Sequence, residues 1–495
     1  MQGAILALAA LGGALAAAPN ARPAPAQRTF NSSAVNALID AFAPRFIDAD
    51  LATIFSNALP NSLDTTIVAA SRNDSFVITG DIDAMWLRDS TNEVLPYMAF
   101  AAADPALADM LHGVVMRQCR SVLIDSYANA FNQVANGNGH QDDPRTPPMT
   151  KAVFEGKYEL DSLAAVLKSS FAYWNSTQDA SLLLEEEWLA AMEKVMDTIV
   201  VQQQSTAEDG ADPAYTFGRP GSVYPNPKAP ANRTGMSKCG FRPSDDNTAL
   251  PFLVSANAMA AVELGNLAVM AATGAGDRLA NITRRAAALS AELRASTEAL
   301  ARQDVAGFGT IYAYELDGFG NFSVADDSNV PSLLSLPYLG YLDRSDATYL
   351  ATRRFLLSTS NPYYFVGSVA SGIGSPHTPG GYIWPMAVAM QALTSTDDTE
   401  IATCLVYLKR SALATGFMHE SFDKDDATKY TRPWFAWGES MIECPFQNSS
   451  RAPLSSVPYL TVYCDLRTFR ISPSRPQPTP SSASSSCSSR ARGLT

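Results

Sequence analysis

The sequence predicts an all-α protein, a helical toroid or array with its chemistry carried on loops. Three observations lead there. Apolar residues recur at helical spacing in one run after another, strand signals are local, and no short repeat of fixed period divides the chain. Irregular polar segments punctuated by Pro and Gly separate the runs, and loops of that kind on a rigid scaffold are where binding and catalytic residues concentrate.

Taken in order, residues 1–26 come first as a leader. Their apolar run from Ala4 to Ala18 is shorter than the roughly 20 residues that span a bilayer, and it reads as a secretion signal or a disordered leader. Ala16 and Ala18, or Ala24 and Ala26, suit cleavage, although no Lys or Arg precedes the run. Helical patterning follows over 34–43 and 106–124. It is clearest over 157–174, where Leu160, Leu163, Ala164, Leu167, Phe171 and Trp174 step along one face. Further helices are expected over 182–201, 249–272, 281–301, 347–358, 382–393 and 399–414. Strands are expected over 76–78 and 309–316, the second ending in the turn Asp317-Gly318. One domain thus covers 27–444, and the Ser/Pro/Arg-rich tail over 445–495 has no core-forming pattern and is expected to be disordered.

A net charge of −13 and a pI near 4.8 argue against nucleic acid and against stable association with an anionic membrane, because both need basic patches. A neutral substrate fits better, and a monomer is expected. Sequons begin at Asn31, Asn73, Asn175, Asn232, Asn281, Asn321 and Asn448, which suits a secreted or secretory-pathway glycoprotein. The six cysteines lie far apart with no C-x-x-C, so a zinc ribbon or redox motif is not indicated, while one or two disulfides are allowed.

Four clusters mix acids, Arg or His with aromatic rings. They are TGDIDAMWLRDST (79–91), GFRPSDDNTALPF (240–252), SPHTPGGYIWP (375–385) and GFMHESFDKDDATKYTRPWFAWGES (416–440). In the first, Asp81, Asp83, Arg88 and Asp89 crowd around Trp86. A sugar-binding cleft wants both features: an aromatic face for C–H groups, and carboxylates with a guanidinium for hydroxyls. Ser244-Asp245-Asp246 precedes an apolar run and reads either as a helix cap or as an acid pair, one member of which burial could keep protonated. Glu420 lies among Phe417, Met418 and Phe422, where a carboxylate can be oriented to take a proton from water, and Lys424-Asp425-Asp426 fits a charged surface loop.

Two carboxyl groups and no cofactor suffice for glycoside hydrolysis. There is no G-x-S-x-G, Walker loop or H-E-x-x-H, and four histidines leave little for a His-rich metal site, so neither metal nor cofactor is expected. Asp81-Ile82-Asp83 alternatively matches the D-x-D of a metal-dependent glycosyltransferase, but the alternating strand–helix pattern of a nucleotide-binding sheet is missing.

In order, TGDIDAMWLRDST, FEGKYELDSL, GFRPSDDNTALPFLVSANAMA, YAYELDGFGN with DDSNVPSLLSLPYLG, SPHTPGGYIWPM and MHESFDKDDATKYTRPWFAW resemble glycoside hydrolase family 125, the exo-acting α-1,6-mannosidases. The resemblance runs from about residue 30 to 440. It implies an (α/α)6 barrel, a six-hairpin toroid with short strands and long loops at the active-site end. It also implies an inverting, metal-free release of single mannose units from α-mannoside oligosaccharides such as mannan or N-glycan fragments. Inversion leaves room for a water, with carboxyl groups about 6.5–9.5 Å apart. Carried over by position, the acid is Asp245 or Asp246, with Asp246 favoured, and the base is Glu420. Arg88 and Asp89 resemble a fork on the terminal sugar, with Trp86, His377 and His419 as further contacts, while Trp384, Trp434 and Trp437 either stack on sugar or pack in the core. Arg242 contacts the sugar or holds the acid pair. In place of the family's closing helix, residues 438–444 meet Pro445. Proline inside a helix costs about 3 kcal/mol, so the helix is expected to stop or kink there, which bears on barrel closure. A catalytically silent mannose-binding protein on the same scaffold is the alternative: it keeps Arg88 and Asp89 but needs neither acid nor base.

Overall fold

Helix starts are written into the chain as side-chain caps. The computed structural model describes residues 17–443. Ser32, Asp48, Asp104, Asp346 and Asp397 each accept a backbone N–H at the start of a helix, satisfying donors that have no partner within the helix. Twelve α-helices of at least two turns result among the described residues. They are α1 (Ser33–Phe42), α2 (Ala49–Ala58), α3 (Leu87–Val94), α4 (Pro105–Ile124), α5 (Leu160–Thr177) and α6 (Glu186–Val201). There follow α7 (Val254–Ala271), α8 (Asp277–Leu300), α9 (Ala347–Leu356), α10 (Pro385–Thr394), α11 (Asp398–Ala412) and α12 (Ala436–Glu443).

The inner layer is a ring. Helix α3 packs on α5, α5 on α7, α10 on α12, and α12 returns to α3. Between α7 and α10 the layer continues through helical turns over 334–340, and Ser255 Oγ on α7 donates to Pro331 O just before them at 3.0 Å. Outside it α4 packs on α5 and α6, α6 on α8, α8 on α7, and α11 on α10 and α2. This alternation is an (α/α)6 barrel. Burial explains the layering: α7 is apolar on nearly every face and sits inside, whereas α8 is apolar on one stripe and sits outside. Helix α12, starting at Ala436, closes the ring against α3 and α10. The barrel is therefore closed before Cys444 and Pro445, which lie with the rest of the tail outside the described residues.

All nine expected helices are present, with α5 starting at Leu160 instead of 157, α8 at Asp277 instead of 281, and three other starts changed in kind. The 182–201 run breaks at Glu185 into a 3-10 turn (Ala180–Leu184) and α6. The 249–272 and 382–393 runs begin late, because Phe252–Leu253 and Tyr382–Ile383 are strands before α7 and α10. The capping expectation for Ser244-Asp245-Asp246 is overturned, since α7 starts only at Val254. These residues form a tight turn instead, closed by Arg242 N–H to Asp246 O at 2.7 Å and Asp245 N–H to Arg242 O at 2.9 Å. The 76–78 strand is Phe76–Val77, and the 309–316 strand is interrupted after Tyr312.

Short sheets pin the loops at the N-terminal ends of inner helices. Met85–Trp86, entering α3, pairs with Ala130–Phe131, which pairs with Val153–Glu155. Phe252–Leu253, entering α7, pairs with Glu315–Leu316. Tyr382–Ile383, entering α10, pairs with Phe422–Asp423. The hairpin from Phe422 to Tyr430 carries Lys424, Asp425 and Asp426 at its turn, the surface role expected for them. At the start of the description, residues 17–26 of the expected leader are fastened to the body: Ala18 N–H donates to Asp50 at 3.0 Å and Arg22 pairs with Asp64 at 2.7 Å. Cys119, Cys239 and Cys404 are buried free thiols, and the other three cysteines fall outside the described residues.

Candidate active site

The entry strands and first turns of the inner helices converge on one pocket, which encloses about 390 Å³ of empty space counting the solvent at its mouth. Helix α3 supplies the floor. Its LRDS start has few apolar residues, yet every residue of the helix is buried. Arg88 makes that possible. Its side chain is 2% exposed, and Nη1 donates to Glu159 at 2.5 Å and to Asp161 at 3.1 Å. Nη2 lies 3.4 Å from Asp245 and 3.5 Å from Asp89. The guanidinium also stacks over the Trp437 ring at 5.2 Å. So many buried carboxyl groups are tolerable only around a shared cation.

Those groups titrate abnormally. Burial, with Asp245 as a like charge and Arg88 and Arg432 opposing, pushes Asp89 up to about 6. Burial pushes Glu159 far above the carboxylate range and raises Asp161, against the pull of Arg88. Asp245 goes the other way. Burial works upward on it too, but Lys157, Arg88 and a hydrogen bond shared with Glu159 bring it below the usual range. Lys157 is kept charged in spite of burial by Asp245 and Glu155. The Asn129 amide ties the group together, with Nδ2 2.9 Å from Glu155, 3.1 Å from Glu159 and 3.3 Å from Asp245. Asp245 itself has φ of +66°, a left-handed conformation uncommon outside glycine, and the turn around it holds its carboxyl in the pocket wall.

Another part of the lining comes from the strand and loop around 420–437. Glu420 lines the pocket, and Arg432 Nε stands 3.3 Å from its Oε1. Arg432 also bonds Asp81 at 3.0 Å, so this arginine ties the 79–84 loop to Glu420, just ahead of the Phe422–Asp423 strand. His377 lines the mouth with Nδ1 3.7 Å from Asp246 Oδ2, and Asp246, together with Asp245 and Glu420, raises its affinity for a proton. Trp384 lines the wall, its indole N–H donating to Thr378 Oγ1 at 2.9 Å. The indole nitrogens of Trp86 and Trp437, both lining residues, make no hydrogen bond to the described residues. Such a wall of aromatic faces, unpartnered N–H groups and carboxylates suits a ligand rich in hydroxyls.

Of the residues expected from sequence, Trp86, Arg88, Asp89, Asp245, His377, Trp384 and Glu420 meet at this pocket. Four do not line it. Asp246 turns toward His377. Arg242 runs to Glu315 at 2.8 Å and over the Tyr314 ring, so it holds the Asp245 turn through its backbone and not through its guanidinium. His419 is fully buried behind the wall, stacked on Tyr430 at 3.9 Å with Nδ1 2.7 Å from Arg432 O, and burial lowers its affinity for a proton. Trp434 covers Gly80. Asp81 is taken by Arg432 and Asp83 is exposed, which leaves the D-x-D reading without a site. Sequence reasoning missed Glu159, Asp161, Lys157, Asn129 and Arg432. The stretch KYELD held the first three, but its helical periodicity drew attention to the apolar face.

Residues 48–443 match the model of the GH125 family, described as metal-independent alpha-mannosidase. The Schizosaccharomyces pombe meiotically up-regulated gene 157 protein is 41% identical over 448 residues, covering 86% of this chain and 87% of its own. A solved Streptococcus pneumoniae metal-independent alpha-mannosidase, in a non-productive complex with alpha-1,6-mannobiose, superposes with a TM-score of 0.79 at 36% identity. That match covers 85% of this chain and 99% of the bacterial one.

Proposed function

The chain belongs to the GH125 family and is a glycoside hydrolase, an α-mannosidase, and on that footing we propose an exo-acting α-1,6-mannosidase that inverts configuration. The observation that carries the reading is that Asp245 and Glu420, far apart in sequence, line one pocket together with Trp86, Arg88 and Trp437. Asp245 acts as the general acid and Glu420 as the general base. The sequence favoured Asp246 for the acid, but Asp246 faces His377, whereas Asp245 lies in the wall beside Glu159, whose affinity for a proton is raised by burial. In the reaction Asp245 protonates the glycosidic oxygen as the C1–O bond breaks. Glu420, oriented by Arg432, takes a proton from the water that attacks C1 from the opposite face.

The terminal mannose rests against Trp86 and Trp437. The Asp89 carboxyl accepts from its hydroxyls, the two indole N–H groups donate to them, and Arg88 shapes the floor from beneath. A substrate of mannan or N-glycan fragments in the secretory pathway follows from the apolar leader and the sequons. The test is a proton-NMR time course on α-1,6-mannobiose. β-Mannose is expected to appear first, and α-mannose appearing first refutes inversion and with it the assignment of Glu420 as base.

A further inference from the structure

Behind Asp245 lies a group for which the two-carboxylate reaction has no use. Glu159 is buried, receives Arg88 Nη1 at 2.5 Å and Ser162 Oγ at 2.8 Å on one oxygen, and receives Asn129 Nδ2 at 3.1 Å on the other. The same guanidinium and the same amide reach Asp245 at 3.4 and 3.3 Å. Two carboxyl groups that take donors from one arginine and one amide, and that are hydrogen-bonded to each other, resist ionising together. The surroundings press the point. Asp89, Glu155, Glu159, Asp161 and Asp245 share Arg88 and Lys157, with Arg432 acting on Asp89, His377 on Asp245 and His140 3.8 Å from Glu155; Tyr215 and Cys239, the other titratable groups near Glu159, bring no positive charge.

We propose that Glu159 is a positioning residue that keeps the reactive proton for Asp245, a role that rests on Asp245 being the general acid. Burial favours the proton on Glu159 at rest against the pull of Arg88, while Lys157 and Arg88 favour charge on Asp245. When the glycosidic oxygen enters, the Glu159 O–H bond breaks and an Asp245 O–H bond forms. The bonds holding Asp245 from Arg88 and Asn129 are long, at 3.4 and 3.3 Å, and they release the carboxyl to turn and present that proton to the leaving oxygen. Water adds at C1 and yields its proton to Glu420, which passes it to solvent, and solvent returns one proton to the Glu159–Asp245 pair. Each turnover consumes one water and leaves the proton count unchanged.

The experiment compares Glu159→Gln with the wild-type chain on two substrates. One is α-1,6-mannobiose, whose leaving alcohol needs a proton, and the other is 2,4-dinitrophenyl α-mannoside, whose phenolate does not. For mannobiose, kcat is expected to fall on the order of 100-fold with KM changed by less than about threefold. For the dinitrophenyl substrate the loss stays below about tenfold, and residual mannobiose activity climbs as pH falls. Equal losses on both substrates with an unchanged pH profile overturn the proposal, because a merely structural glutamate affects both alike. If Glu159→Gln does not fold, Glu159→Asp replaces it. It is expected to show a smaller split of the same kind, and an even loss again overturns the role. Asp245→Asn and Asp246→Asn run on the same pair separate the two claims. A leaving-group split in Asp246→Asn but not in Asp245→Asn removes the acid assignment itself, whatever Glu159→Gln does.

Discussion

Arg88→Lys tests whether the guanidinium is a clamp on carboxylates or a hand on the sugar. Lysine keeps the charge, so the general attraction for Glu159, Asp161, Asp245 and Asp89 survives. It loses the fork: one ammonium cannot donate to Glu159 and Asp161 and also stand beside Asp245 and Asp89. Of the two short bonds from Nη1, each worth about 1.5–3 kcal/mol as charge-assisted pairs, at least one is lost. The stack over Trp437 adds about 0.5–1 kcal/mol. The sum is roughly 2–4 kcal/mol of stability, or a fall in Tm of about 3 °C for a chain of this length. Removing the charge altogether, as in Arg88→Met, strands buried carboxylates and costs about 3–5 kcal/mol.

Activity should follow. Asp245 loses one of the two groups that aim it, and misplacement of a reacting group by about 1 Å costs on the order of 100-fold. The assay is a thermal melt alongside kcat and KM on α-1,6-mannobiose. A clamp lowers Tm and kcat with little change in KM, whereas a sugar-gripping arginine raises KM and leaves Tm alone. An unchanged Tm in Arg88→Lys refutes the reasoning.

Three other outcomes are expected. Glu420→Gln should lower kcat by about 10²–10⁴-fold while calorimetry still detects mannobiose binding, because the amide keeps the shape but cannot accept the proton of water. Asp245→Asn should lose mannobiose turnover by a similar factor and Asp246→Asn by much less, read as kcat for the two variants side by side. Asp89→Asn should stabilise the protein and weaken the sugar complex. Its carboxyl titrates at about 6 when folded and near 3.8 otherwise, so the folded state holds the extra proton between those values and stability falls as pH rises across them. The variant should therefore gain about 1–3 kcal/mol at pH 7.5 in urea unfolding, and less at pH 4.5.

The helices that proved legible are those with an apolar stripe long enough to show its period, as in Leu160 to Trp174. Helix α3 was not legible, because several of its buried polar residues take partners that arrive from elsewhere in the fold. Gln118 on α4 bonds Ser90 and Thr91, and the Ala165 carbonyl of α5 takes the Thr91 hydroxyl. No local pattern records such partners. Helix α12 was hidden for another reason: Pro445 drew attention to an interruption, while the eight residues Ala436–Glu443 already suffice to close the ring.

The site divides along the same line. Residues whose chemistry clashes with their neighbours in sequence, such as Arg88 and Asp89 beside Trp86 or Glu420 between His419 and Phe422, stand out because a local cause is lacking. What sequence assigned wrongly is direction. Arg242 and Arg88 look alike as arginines next to aspartates, yet Glu315 claims one at 2.8 Å and Glu159 claims the other at 2.5 Å. Each of those glutamates comes from a strand or helix start far along the chain. Both of these arginines end on a fully buried acid, which has no water to fall back on. Sequence proximity therefore gives a poor guide to which charges meet, and the acids that matter most are those sitting inside an apolar periodicity, as Glu159 and Asp161 do on either side of Leu160.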